Sequence, residues 1–225
     1  MFSHLLNWSL ENVRFIPLLI VLSLLTGCAA GTMVMPETVL ETAPALEGPA
    51  VTQFEDGRRG FVITEVANLN ATARRDFDQA VVWLHEGNYE QAIELLENVV
   101  EASPGVSAPY INLALAYRKV NKSELAEENL KTALNLISGH PVASNEYGLL
   151  LRKAGRFEEA KTIYEQSLMI FPDYLPVRRN LGIMCDLYMN DQQCALTQYE
   201  FYSEANPEDK QAKMWVSELR LRLGQ

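Results

Sequence analysis

Gly87-Asn88-Tyr89-Glu90-Gln91-Ala92-Ile93 returns in kind as Gly155-Arg156-Phe157-Glu158-Glu159-Ala160, two steps of 34 residues further along. A glycine, a polar residue, an aromatic, an acidic pair or its amide, and an alanine read as a tight turn followed by the first turn of a helix. Glycine takes the positive φ that ends a helix without a Cβ penalty. Asn88 with Gln91 three residues on has the pattern of a helix cap. The alanine that follows lets two helix backbones approach closely.

Outward from this turn the same step recurs. Small residues fall at Ala80, Ala114, Gly148 and Gly182, and large or soft ones at Trp83, Tyr117, Leu151 and Cys185. A second small series runs Ala92, Ala126, Ala160, Ala195, and a second large one Leu96, Leu130, Tyr164, Tyr199. Pro104, Ser138, Pro172 and Pro207 close the units, and proline stops a helix from continuing. A period of this length marks stacked supersecondary units, none of which buries its apolar face alone. The units are 73–106, 107–140, 141–174 and 175–209. Asn121 stands where the second unit should carry its turn glycine, and the fourth unit has one extra residue within Met189-Asn190-Asp191-Gln192-Gln193-Cys194, which predicts a longer turn. A last helix follows over 210–225, with Asn206, Pro207 and Asp209 as its start and Ala212, Trp215, Val216, Leu219 and Leu223 on one stripe. Such a helix caps the exposed end of the stack.

The two turn stretches are similar to the turn of tetratricopeptide repeats. That resemblance implies an all-α fold, a right-handed αα-solenoid of about four repeats plus a C-terminal capping helix, and with it a protein-binding role without catalysis.

The first 27 residues read as a signal peptide. Arg14 precedes the apolar run Phe15–Leu25, which is too short to span a bilayer, where about 20 residues are needed. The run closes on Leu25-Thr26-Gly27-Cys28, which resembles the lipobox of bacterial lipoproteins and implies lipidation of Cys28. An uncleaved anchor with an incidental cysteine is the other reading. Ala29 and Ala30 take the place of the aspartate that often retains such proteins in the inner membrane, which implies an outer-membrane anchor facing the periplasm. Residues 28–60, interrupted by Pro36, Pro44 and Pro49 and several glycines, read as a flexible tether, and 61–72 as a segment packing on the first repeat. A flexible chain of about 40 residues spans roughly 35 Å.

In a stack of helix pairs the residue after each small one, and those one turn away, line a groove. These are Phe77, Val81 and His85; Asn112, Leu115, Arg118 and Lys119; Asn145, Leu149, Arg152 and Lys153; and Arg179 with Ile183. Second helices carry the acids, among them Glu90, Glu94, Glu97, Glu124, Glu127 and Glu128. A chain of net charge −10 thus sets its cations on one face, predicting a protein or peptide ligand with acidic residues and apolar anchors. Alternatively, the Arg-Lys pairs complement helix dipoles in the last turns of their helices, worth about 0.3–1 kcal/mol each.

The acidic balance argues against nucleic acid, whose phosphates need a lysine and arginine excess. No cofactor or metal is expected. His85-Glu86 lacks the second histidine of a zinc-protease helix, and no glycine-rich phosphate loop appears. Cys185 and Cys194 flank the long turn, so they read either as a disulfide, which an oxidising compartment permits, or as a plain buried thiol at Cys185. Proteins that look like this include pilotins and assembly factors of type IV pili and secretion machines. The expected function is an envelope scaffold, with an adaptor docking a cell-wall enzyme at the outer membrane as the alternative.

Overall fold

The computed structural model describes residues 50–53, 61–65 and 68–225, all within one compact unit, Leu46–Gln225. The signal peptide, Cys28 and residues 28–49 of the tether lie outside the described residues. Among the described residues the chain forms a short hairpin and then nine helices. The strands are β1 (Ala50–Gln53) and β2 (Phe61–Thr64), antiparallel with Val51 opposite Ile63. The tether expected to run through residue 60 is therefore ordered into a strand at 50–53. The alternation of exposed Val62, buried Ile63 and exposed Thr64 gives the physical reason, one face of β2 being covered.

The helices are α1 (Ala71–Glu86), α2 (Tyr89–Ala102), α3 (Ser107–Lys119), α4 (Ser123–Leu136), α5 (Pro141–Lys153), α6 (Phe157–Ile170), α7 (Leu175–Leu187), α8 (Gln192–Ala205) and α9 (Lys210–Arg222). Four pairs, α1–α2 to α7–α8, match the four periods. Each pair turns on one left-handed residue: Gly87 (φ 85°), Asn121 (φ 61°), Gly155 (φ 76°) and Asn190 (φ 52°). Asparagine tolerates this conformation better than most residues, so the missing glycine at 121 leaves the turn intact. In unit four the extra residue is absorbed before α8, where Asp191 caps the helix by accepting from the Cys194 N–H at 3.0 Å.

The two expected caps are corrected by the structure. Asn88 makes no side-chain cap to α2; its amide donates to Glu86 Oε2 at 3.0 Å. Asn206 sits at the end of α8, donating to the Tyr202 carbonyl, and Asp209 alone caps α9, accepting from the Gln211 and Ala212 N–H groups at 3.0 Å. In both cases a nearer partner won: Glu86 for Asn88, and the end of α8 for Asn206.

The core is built from the small–large pairing. Ala80, Ala114, Gly148 and Gly182 are buried on first helices, and Leu96, Leu130, Tyr164 and Tyr199 are buried on the second helices of the same pairs. Size is matched within pairs: where the small residue is alanine the large one is leucine, and where it is glycine the large one is tyrosine. A Cβ on Gly148 would lie 2.2 Å from the Tyr164 ring, and one on Gly182 2.6 Å from that of Tyr199. The tyrosines fit because the glycines leave their space empty. α9 closes the stack with Ala212 and Leu219 buried and Trp215, whose ring lies 4.9 Å from that of Tyr199.

An unforeseen contact fastens the N-terminal segment. Glu65, just after β2, accepts from the Ser107 N–H and Oγ, each at 2.6 Å. Val106, the residue before α3, offers no side-chain cap. A carboxylate 42 residues away in sequence thus caps α3, where a negative charge also complements the helix dipole.

Candidate functional site: the face of the first helices

Four positions one residue past the small series, Val81, Leu115, Leu149 and Ile183, are all half-buried and repeat along α1, α3, α5 and α7. They form an apolar line along the first helices. Phe77 is half-buried against the core at one end, and His85 is exposed. Asn112 stands one residue past the register of this face, since the 34-residue step from Phe77 leads to Ile111. The structure buries both, Ile111 at 1 % and Asn112 at 7 % exposure.

The cations divide into two kinds. Arg118 is paired with Glu146 at 2.6 Å, so it is not a free basic rim as its place in the sequence suggested. Glu146 also accepts from Asn145 at 3.1 Å, and Asn145 accepts from Asn180 at 2.8 Å. A polar seam therefore runs Arg118–Glu146–Asn145–Asn180 and ties α3, α5 and α7 together. Asn145, at 7 % exposure, serves this seam rather than the groove surface. Sequence reasoning missed Glu146 and Asn180; the clue was an acid on a face otherwise read as basic.

Arg152 is different. Among the described residues no carboxylate pairs with it; its guanidinium lies over the Tyr188 ring at 5.7 Å. Its Nη1 and the nearby Tyr164 hydroxyl are buried with no hydrogen-bond partner. Burial, and secondarily the charge of Glu146, hold that hydroxyl protonated far above the usual phenol range, opposed by Arg152 and Arg118. Two buried donors are thus left without an acceptor, with the charges of Arg152, Arg118 and Glu146 all within electrostatic reach of the hydroxyl. Arg179 stacks over Trp215 at 5.6 Å, and Lys119 lies 5.9 Å from the Tyr89 ring. Lys153 is exposed. Arg118, Lys119, Arg152 and Lys153 all occupy last helical turns, where a cation complements the helix dipole.

Acids on second helices also hold the stack together. Tyr117 donates to Glu97, and Tyr147 to Glu127 at 3.0 Å, each from the following unit. Glu127 accepts two further hydrogen bonds from Arg156, at 2.8 and 2.9 Å. Despite a desolvation penalty that raises it, its carboxyl is lowered to about 2 by Lys131, Arg156 and Tyr147.

Cys185 and Cys194 are joined by a disulfide, Cα–Cα 5.9 Å, across the long turn. Cys185 is fully buried, so the two sequence readings meet: the sulfur is both core and cross-link. The Asp191 carboxylate lies within 4.8 Å of both sulfurs. Sulfurs bonded to each other are not thiolates, so this trio holds no metal in the oxidised form.

Models of the tetratricopeptide repeat match residues 84–141 and 143–174. This stretch is built of tetratricopeptide repeats. Stacked repeats of this kind present an extended surface that takes protein partners. The chain is 31 % identical over 104 residues to the type IV pilus assembly protein PilF of Pseudomonas aeruginosa, covering 45 % of this chain and 41 % of that one. It is 25 % identical over 138 residues to the anaphase-promoting complex subunit CDC16 of Saccharomyces cerevisiae, covering 59 % and 16 %. The chain thus spans well under half the length of these curated relatives. Among solved structures, PilF superposes with a TM-score of 0.60 at 24 % identity, covering 67 % of this chain and 68 % of that one. MamA of Desulfovibrio magneticus RS-1 does so at 0.60 and 16 %, covering 70 % and 88 %. These likenesses show the all-α solenoid of tetratricopeptide repeats. Among the described residues no helix is long and apolar enough to cross a membrane.

Proposed function

We propose that this chain is a lipid-anchored scaffold on the periplasmic side of the outer membrane, holding a segment of another protein during assembly of an envelope complex such as a type IV pilus or secretion machine. The observation that carries the binding role is Arg152, a groove cation with no ion-pair partner among the described residues, beside the apolar line Leu115–Leu149–Ile183. An acidic residue of a bound segment pairs with it, and its apolar neighbours cover the line. The reading draws its envelope context from the similarity to PilF and from the lipobox-like Leu25-Thr26-Gly27-Cys28. Cys28 carries the acyl chains, since one chain alone gives marginal membrane binding and two or more give stable anchoring. The role requires no reaction step.

The anchor is tested by labelling cells with radioactive palmitate and separating membranes by density, for the full chain and for Cys28→Ala. The label and outer-membrane sedimentation should both disappear in the variant. Unlabelled wild-type protein, or an unchanged distribution of Cys28→Ala, would overturn the anchor.

A further inference from the structure

Unit four breaks the repeat at three places, and the three substituted side chains meet. In register, Trp83, Tyr117 and Leu151 lead to Cys185; Asn88, Lys122 and Arg156 lead through the one-residue insertion to Asp191; and Gln91, Leu125 and Glu159 lead to Cys194. The backbone brings them together. In every unit the second of these residues donates its N–H to the carbonyl of the first, as Asn88 does to Trp83 and Arg156 to Leu151, and Asp191 does so to Cys185 at 2.8 Å. Cys194 stands three residues on, in the first turn of α8. One ligand atom from each of the three residues lies within 4.8 Å of the other two.

The disulfide accounts for two of these residues and leaves Asp191 over. The turn does not require its cap on the Cys194 N–H, since Asn88, Lys122 and Arg156 start their helices without a side-chain cap. Its other oxygen lies 3.7 Å from the Lys161 ammonium, beyond hydrogen-bond reach. A carboxylate offers about four lone-pair sites, so these contacts leave Asp191 able to ligate. With the sulfurs parted, the donors are two thiolates and a carboxylate, a set that suits zinc among divalent ions. Bonds of about 2.3 Å to sulfur and about 2.0 Å to oxygen in a tetrahedron set each sulfur about 3.5 Å from the oxygen. The carboxylate thus closes by little more than about 1 Å, within reach of side-chain rotation. Cys185 is fully buried while Asp191 and Cys194 are half-buried, so the fourth coordination place lies on the solvent side. At the start of α8 the helix N-terminus favours the thiolate of Cys194.

We propose that the reduced chain binds one zinc ion through Cys185, Asp191 and Cys194, so that the long turn of unit four is held by a disulfide in the oxidised form and by a metal in the reduced form. The conversion balances in two steps. A dithiol reductant takes the disulfide to two thiols and is itself oxidised to a disulfide. The ion then displaces the two thiol protons to solvent.

The test uses the full chain in detergent micelles, either oxidised or reduced with a phosphine under argon, and cobalt(II) as a visible probe of the zinc place. The reduced chain should take up about one equivalent, with thiolate-to-cobalt charge transfer in the near ultraviolet and the strong visible bands of four-coordinate cobalt. Adding zinc(II) should bleach both. Asp191→Asn keeps a cap oxygen for the Cys194 N–H and should weaken uptake at least about tenfold. The double variant Cys185→Ser with Cys194→Ser, which retains Cys28, should show no bands, and neither should the oxidised chain. No bands from the reduced wild-type chain, or equal bands from the double variant or the oxidised chain, overturns the site. Uptake undiminished in Asp191→Asn, or seen only with loss of the far-UV helix signal, also overturns it, because two thiols would then be ligating without the folded trio.

Discussion

Replacing Gly148 with alanine should destabilise this protein although alanine is the better helix former. The new Cβ would lie 2.2, 2.3 and 2.8 Å from three atoms of Tyr164, whose ring is fully buried and has no room to withdraw. Overpacking of this kind costs about 1–3 kcal/mol, against a gain of roughly 1 kcal/mol in helix propensity. With such contacts the upper end of the cost applies, leaving a net loss of about 2 kcal/mol. Tyr164→Leu alone leaves a void and should cost about 1–3 kcal/mol, reduced because an unpartnered buried hydroxyl leaves with the ring. Together the two changes rebuild the alanine–leucine pair that units one and two already use at Ala80–Leu96 and Ala114–Leu130. The double variant should lie within about 1 kcal/mol of wild type, a coupling of at least about 2 kcal/mol in urea unfolding followed by circular dichroism. If the two losses simply add, the size-matching account of the core is refuted.

Three further outcomes are expected. Reducing the Cys185–Cys194 bridge, which closes a short loop, should lower stability by about 2–3 kcal/mol in the loop-entropy picture, read as a shift in the unfolding midpoint with and without dithiothreitol. Equal midpoints would show that the bridge constrains nothing. His140 is held neutral by burial, which lowers it to about 4 despite an opposing backbone hydrogen bond. Because the folded value lies below the unfolded one, the unfolded chain takes up the proton first, and stability should fall as pH drops from about 6.5 to 4. At about 1.4 kcal/mol per pH unit this amounts to at most roughly 3 kcal/mol. His140→Asn, which keeps an acceptor for the Ala143 N–H, should flatten that slope, and an unchanged slope would assign it elsewhere. Glu65→Ala removes the cap of α3, should cost about 1–2 kcal/mol, and should speed hydrogen exchange at the Ser107 N–H; protection equal to wild type would mean the cap does not hold in solution.

The repeat was legible because its signals are local and recur. A glycine or asparagine at each turn, and a small residue facing a large one, are properties of single positions that 34-residue steps reinforce. Asn121 shows how little the turn needs: its own tolerance of positive φ replaces glycine. What escaped was pairing across units. Glu146 with Arg118, and Glu65 with Ser107, join residues 28 and 42 positions apart, and spacing alone does not reveal which rotamer meets which. Asn112 differs in kind: as a polar neighbour of Ile111 it resembles a groove residue, while the 34-residue register belongs to Ile111.

The face of the solenoid that holds the partner is decisive for the proposed function. A photo-crosslinking residue placed in turn at Leu149 in the groove and at Glu128 on the outer side of α4, in the full chain within cells, addresses this directly. Crosslinking from position 149 to a partner segment rich in carboxylates, lost when Arg152→Glu is added and absent from position 128, is the predicted result. Crosslinking from 128 alone, or from 149 undiminished by Arg152→Glu, would contradict it.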